Sequence, residues 1–172
     1  MPRPRTGEHQ CEADPPSESR VVVRRVIAAP AAQLFSAWTE PAHLLRWWGP
    51  EGVTLIDVEI DLRVGGLYRL EHQHPDGAVT NIGGAFEAIE RPTRLVYTWA
   101  HLPVTRDTEV TRVTVAFETR GDRTEVIVTH EGFRTSRSRE SHTTGWIECL
   151  QGLARDGETG VGDRIAERGG RS

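Results

Sequence analysis

The centre of this chain holds six β-like stretches in a row with no helix between them, and one amphipathic helix follows. The stretches are 54–60, 67–72, 79–89, 95–100, 110–119 and 124–130. Gly65-Gly66, Pro75-Asp76-Gly77, Arg91-Pro92 and Gly121-Asp122 punctuate them, residues whose backbone freedom or fixed φ turns a chain sharply. Connections this short join antiparallel neighbours, because a parallel pair needs a crossover of about a dozen residues or more. Val113, Val115 and Phe117 alternate with polar residues, as do Val126 and Val128, so the sheet has one buried face and one wet face. The buried face needs a cover, and the sequence supplies one candidate. In the helix 139–155, Trp146, Cys149, Leu150 and Leu153 fall at i, i+3, i+4 and i+7, on one face. Gly145 and Gly152 each cost this helix about 1 kcal/mol against alanine. Gly152 suits a close approach to the sheet.

The N-terminal part completes the pattern. Residues 21–27 are rich in valine and isoleucine and read as a first strand. Pro30 opens a helix with Leu34, Phe35 and Trp38 at helical spacing. Pro41 opens a shorter one bearing Leu44, Leu45, Trp47 and Trp48, and Gly49-Pro50 stops it. The order is one strand, two helices, six strands and a long helix, an α+β chain in which a curved antiparallel sheet wraps around the C-terminal helix. The domain spans residues 20–155. Residues 1–19, with four prolines and few large apolar side chains, read as a disordered tail. Residues 156–172, with glycines at 157, 160, 162, 169 and 170, read as another.

Composition removes several classes of function. The chain has 172 residues and a net charge of −4, which argues against a nucleic-acid coat or a binder of anionic membranes. It has no lysine, so Schiff-base chemistry, a Ser–Lys dyad and a P-loop are all excluded. Two cysteines, Cys11 and Cys149, cannot make a disulfide scaffold or a four-cysteine zinc site. There is no Gly-x-Ser-x-Gly elbow and no dinucleotide fingerprint. No cofactor and no bound metal are expected. With neither a signal-peptide core nor an apolar run of about 20 residues, the expected location is the cytoplasm.

Six local strings, in order, resemble the START-like SRPBCC superfamily, the helix-grip fold. Within it, the strings look like those of the bacterial homologues of the heat-shock ATPase activator. The strings are Leu34-Phe35-Ser36-Ala37-Trp38-Thr39-Glu40-Pro41, Trp47-Trp48-Gly49-Pro50 and Asp61-Leu62-Arg63-Val64-Gly65-Gly66. They continue with Gly84-Ala85-Phe86-Glu87 followed by Pro92-x-x-Leu95-Val96-Tyr97-Thr98-Trp99, with Thr129-His130-Glu131-Gly132-Phe133, and with Gly145-Trp146 ahead of Leu150 and Leu153. The resemblance covers about residues 20–155. It implies a cavity for an apolar small molecule between the curled sheet and the last helix. Three functions are compatible with it: binding of a small apolar or aromatic molecule for sequestration, sensing or self-resistance; a cyclase-, hydrolase- or isomerase-like enzyme; and a chaperone partner. The eukaryotic activator depends on an additional domain, for which this length leaves no room, so the chaperone role ranks last. A second copy pairing on an open sheet edge is compatible with the fold, as a homodimer.

The candidate residues follow from parity and helical spacing. The five tryptophans all fall within the folded span. Trp48, Trp99 and Trp146, with Tyr68, Leu70, Phe86, Val115, Phe117 and Leu150, are the expected apolar lining of the cavity, and His72 and His130 its expected polar members. Trp146 on the lid helix and Tyr68 lead that set. His72 and His74 share one face of a strand and read as a rim pair, too few for a metal site without a third ligand. His130 shares parity with Val126 and Val128 and faces inward. A buried imidazole needs a partner for each nitrogen. His130 is therefore either a satisfied core histidine or the polar group that orients a ligand or moves a proton. It is the first candidate for an acid–base role in catalysis, with Tyr68 as the alternative. Cys149 reads as a small hydrophobe, and Asp61 and Arg63 as a pair that holds a turn.

Overall fold

The computed structural model describes residues 19–168. The expected N-terminal tail up to residue 18, with Cys11, and the last four residues of the expected C-terminal tail lie outside the described residues. The elements are β1 Arg20–Ile27, α1 Ala31–Thr39, α2 Pro41–Trp47, β2 Thr54–Ile60, β3 Leu67–Gln73, β4 Val79–Glu90, β5 Arg94–Leu102, β6 Thr111–Arg120, β7 Arg123–Glu131 and α3 Ser136–Arg168. This is the α+β, helix-grip order that the sequence predicts.

The seven strands form one sheet in the order β1-β7-β6-β5-β4-β3-β2, and every pair is antiparallel. The six consecutive strands make a meander, and β1 closes against β7, so β1 and β2 are the open edges. Two register shifts, at Leu55/Asp57 and at Phe86/Ala88, bend the sheet. Gly84 permits a close approach on the bend: a Cβ there would stand 2.0 Å from the Thr98 carbonyl oxygen. The same carbonyl accepts the Tyr68 hydroxyl at 2.6 Å. No side chain larger than hydrogen fits this crossing.

Alternation along β6 and β7 works as the pattern demands. Val113, Val115, Phe117, Val126 and Val128 are all buried, and α3 lays Trp146, Cys149, Leu150 and Leu153 over them. Full burial of a valine, leucine or phenylalanine side chain contributes about 1.5–3 kcal/mol, so each of these residues favours the folded state. Asp61 and Arg63 pair at 2.7 Å across their turn. Among the described residues no helix is long and apolar enough to cross a membrane.

Two expectations change. Gly152 does not serve an approach to the sheet. A Cβ there would meet the Trp47 carbonyl oxygen at 2.5 Å, so the glycine lets α3 close on α2. And α3 does not stop at 155. Arg46 pairs with Asp156 at 3.1 Å, and the Gln33 amide donates to the Gly157 carbonyl at 3.2 Å. Gly157 lies against Leu34 and Ile27. The glycine that looked like the start of a tail is a contact surface for α1 and β1, and the helix continues over it.

Candidate functional site

The site is built from indole rings. Trp38 comes from α1, Trp47 and Trp48 from α2 and its end, Trp99 from β5 and Trp146 from α3. All five are buried. Trp38 stacks on Trp146 at 6.0 Å between ring centres, Trp48 meets Trp146 edge-on at 5.7 Å, and Trp99 lies 5.5 Å from Trp146. An indole N–H needs an acceptor once buried. Trp47 donates to the Ala37 carbonyl at 2.9 Å and Trp38 to the Tyr97 hydroxyl at 3.2 Å. Trp48 donates to His72 Nε2 and Trp146 to His130 Nδ1, each at 3.0 Å. Trp99 Nε1 has no partner.

His130 is closed off. Its Nδ1 accepts from Trp146, which leaves the neutral ring's proton on Nε2. Nε2 therefore donates to Thr111 Oγ1 at 2.6 Å, and Thr111 in turn donates to the Trp99 carbonyl at 3.2 Å. Burial, aided by nearby His142, pushes the His130 pKa down to about 3. The ring is neutral, satisfied at both nitrogens and fully buried.

His72 begins the same way and ends differently. Its Nε2 accepts from Trp48, so the neutral ring carries its proton on Nδ1. That N–H is buried with no partner. Burial first, then His74 and His101, lower its pKa to about 4. His72 is only 4% exposed, so it is no rim histidine. His74, one residue past the end of β3, bonds Thr80 Oγ1 through Nε2 at 2.8 Å.

The unpaired donors belong to residues that line a cleft of about 210 Å³ between the sheet and α3. Its inner lining is Trp48, Trp99, Trp146, His72, Ile82 and Cys149, all buried. Its more accessible lining includes Pro50, Val53, His74, Thr80, His101, Ser141, His142 and Gly145. A Cβ on Gly145 would meet nothing within 4 Å, so the glycine leaves open space in the helix face. Burial pushes the Cys149 thiol up to about 12, which makes it an apolar wall and no nucleophile. His101 is lowered by burial, with His142 and His74 adding to the effect and Glu109 opposing it. A neighbouring hollow of about 240 Å³ shares Trp99, His101 and His142 and adds Thr108, Glu109, Thr111 and Ser138. Among the described residues no group of three or more His, Cys, Asp or Glu side chains is arranged to hold a metal ion.

The expected lining residues divide into three groups. Trp48, His72, Trp99 and Trp146 line the cleft. Tyr68, Leu70 and Phe86 border a void of about 20 Å³, which has room for about one water and no ligand. Val115, Phe117, Leu150 and His130 are core and border none of these hollows. The reason is the bend in the sheet. Tyr68, Phe86 and Tyr97 lie ring to ring within 6.0 Å, so the space beneath β3 and β4 is already filled. The parity argument did not reach His101, His142, Gly145, Cys149, Val53 or Ile82. Helical spacing carries a signal for several of them: His142, Gly145 and Trp146, and Cys149 stand at i, i+3 and i+4, and i+7. His101 shares strand parity with Trp99.

The family model described as "Activator of Hsp90 ATPase homolog 1-like protein" matches residues 28–156. Solved structures share the fold. A protein from Chromobacterium violaceum is 24% identical, with a TM-score of 0.72 over 81% of this chain and 97% of that one. One from Nitrosomonas europaea is 21% identical, with a TM-score of 0.73 over 85% and 98%. The AHSA1 protein from Silicibacter pomeroyi is 24% identical, with a TM-score of 0.69 over 80% and 96%. No curated protein matches the chain.

Proposed function

This chain belongs to the family of Hsp90 ATPase activator homologues, within the SRPBCC superfamily, and we propose that it binds a small, ring-bearing molecule in the cleft between its sheet and α3. The observation that carries the proposal is the cleft itself: about 210 Å³ of space lined by three buried indole rings, with the polar side chains of Thr80, Ser141 and His142 on its more accessible wall. An apolar hollow with a few polar groups is the ordinary make-up of a small-molecule site. For scale, an engineered apolar cavity of about 150 Å³ takes up benzene.

Catalysis by His130 loses its support, because both ring nitrogens are engaged and His130 lines none of the hollows. The chaperone-partner reading rests on the family description, which belongs to the proteins that earned it; a fold alone does not carry a function.

The test uses Gly145→Phe. The substitution places a ring in open space and removes a helix-weakening glycine, so the fold is retained while the cleft is filled. Melting temperature is measured across a set of neutral one- and two-ring compounds. A ligand that binds the folded state raises it. The expected result is a ligand-dependent rise for wild type and none for Gly145→Phe, each measured against its own ligand-free melting temperature. Equal rises in both proteins, or no rise in wild type with any compound, contradict the proposal.

A further inference from the structure

We propose that the cleft changes its ligand preference with pH: in acid, His74, His101 and His142 give its accessible wall a positive charge, and the cleft then draws an aromatic carboxylate that it binds weakly in base. This inference rests on the reading that the cleft is a binding site and adds the charge of its occupant.

The case begins with which ionisable residues border the cleft. None of the chain's 21 arginines or 25 acidic residues lines it, yet four of its 7 histidines do: His72, His74, His101 and His142. The lining therefore carries no fixed charge. Cys149 is held as the neutral thiol, so the only charge the wall acquires is positive and comes from imidazole.

The four histidines divide by depth. His72 is buried, and its pKa of about 4 keeps it neutral down to pH 5.5. His74, His101 and His142 lie on the more accessible wall. They come from the turn after β3, from β5 and from α3, so the sheet and the helix both contribute to that wall. His142 Nδ1 donates to the Ser138 carbonyl at 2.8 Å, which leaves Nε2 as the atom that takes up the second proton.

The charges around the wall are few. His101 lies in the field of His142 and His74, with Glu109 acting in the opposite sense. His72 lies in that of His74 and His101, and His130, neutral with a pKa of about 3, in that of His142. Glu109 belongs to the adjoining hollow, where its carboxylate accepts from the Arg134 backbone N–H at 2.7 Å and from Ser138 Oγ at 2.8 Å. Asp76 follows His74 by two residues and Glu148 adjoins Cys149. Neither lines the cleft, and each accepts a backbone N–H at 2.9 Å, from Ala78 and Glu51. Three imidazoles on one wall repel one another once charged, and an anion among them relieves that repulsion. An anion there favours the protonated rings, so its own affinity rises as the pH falls. A neutral ring compound has no such coupling.

The test is a calorimetric titration at low ionic strength with 2-naphthoate and with 2-acetylnaphthalene, a neutral probe of similar shape, at pH 8 and at pH 5.5. Wild type is expected to bind naphthoate about tenfold tighter at pH 5.5 than at pH 8, the scale of one imidazole whose pKa the anion raises by about one unit. The ketone's affinity is expected to change by less than about twofold. His101→Gln, on an exposed side chain, is expected to cut the naphthoate gain to about threefold. The combined variant His74→Gln, His101→Gln and His142→Gln is expected to abolish it. Should the combined variant not fold, proton NMR titration of the wild-type imidazole rings replaces it, with naphthoate moving the midpoints of these three histidines to higher pH. A ketone that binds while naphthoate gains nothing in acid overturns this inference and leaves the binding site standing. A gain that survives in the combined variant, or midpoints that naphthoate leaves unmoved, overturns the role of the three histidines. No binding of either probe at either pH overturns the binding site as well, and with it this inference.

Discussion

His130 and His72 occupy matching positions in two neighbouring regions, and the difference between them locates the site. Each is a buried histidine on the inner face of the sheet, and each accepts a hydrogen bond of 3.0 Å from a tryptophan indole. Around His130 the second nitrogen also finds a partner, Thr111, and the chain of bonds ends on the Trp99 carbonyl. Phe133 closes over the ring at 4.4 Å. Around His72 the second nitrogen finds nothing, and the indole nitrogen of Trp99, which lines the same cleft, is equally unanswered. The first region is a finished core in which polar groups serve the fold. The second keeps two donors unpaired beside about 210 Å³ of space. A buried polar group is informative about function only after its partners have been counted.

The comparison breaks most violently at Trp146, which belongs to both regions. Trp146→Ala removes rings from beneath Trp38, Trp48 and Trp99 and strips His130 Nδ1 of its donor. A loss of about 3–5 kcal/mol is expected from truncation of a buried tryptophan, read from urea unfolding. A loss under about 1 kcal/mol would mean that the ring is ligand lining and not core.

Acid tests both histidines at once. Their folded pKa values, about 3 for His130 and about 4 for His72, lie below the unfolded value of about 6.5. The fold refuses protons that the unfolded chain accepts, so stability is full above about pH 6.5 and falls as the pH drops towards 4 and then 3. Urea midpoints at a series of pH values should decline through that window. A flat profile between pH 6.5 and 4 would show that neither ring is held neutral.

Thr111→Val sharpens the contrast by turning His130 into a second His72. The substitution keeps the shape and leaves Nε2–H without an acceptor, so it is expected to cost about 1–3 kcal/mol in the same unfolding assay. Trp99→Phe, which removes a donor that has no partner, should cost less than Thr111→Val. The reverse order would contradict the assignment of which donor is paired. The smallest effect is Gly145→Ala, which places a methyl group in open space and should add up to about 1 kcal/mol through helix propensity.

Much of this architecture is written in the sequence because its signals are local. The alternation of Val113, Val115 and Phe117 and of Val126 and Val128 requires a one-sided sheet, and the spacing of Trp146, Cys149, Leu150 and Leu153 requires the helix that covers it. Parity also placed His130 indoors, whereas His72, read as a rim residue, is buried as well. It could not say which nitrogens would be paired, because Thr111 comes from the neighbouring strand β6 and Trp48 from the end of α2, and alternation along one strand carries no information about either. Nor could it separate filled space from empty space. Tyr68, Leu70 and Phe86 point inward as expected, yet the bulge at Phe86/Ala88 and the close crossing at Gly84 bring aromatic rings together and leave room for about one water. The cleft lies where a glycine in α3 offers no side chain, and a glycine in a helix reads in the sequence as a cost and not as a space. The end of α3 was missed for a related reason: Gly157 resembles a helix breaker until Ile27 and Leu34 are seen packed against it.

The most direct test of the account is the ¹H–¹⁵N spectrum of the indole N–H groups of Trp99 and Trp146, assigned through the Trp99→Phe and Trp146→Phe variants and followed as 2-acetylnaphthalene is added to wild type. The account predicts that both resonances, whose rings line the cleft, move to saturation with the probe, while that of Trp47, which borders none of the hollows, stays in place. Movement of Trp47 with Trp99 and Trp146 unchanged, or a spectrum indifferent to the probe, would contradict it.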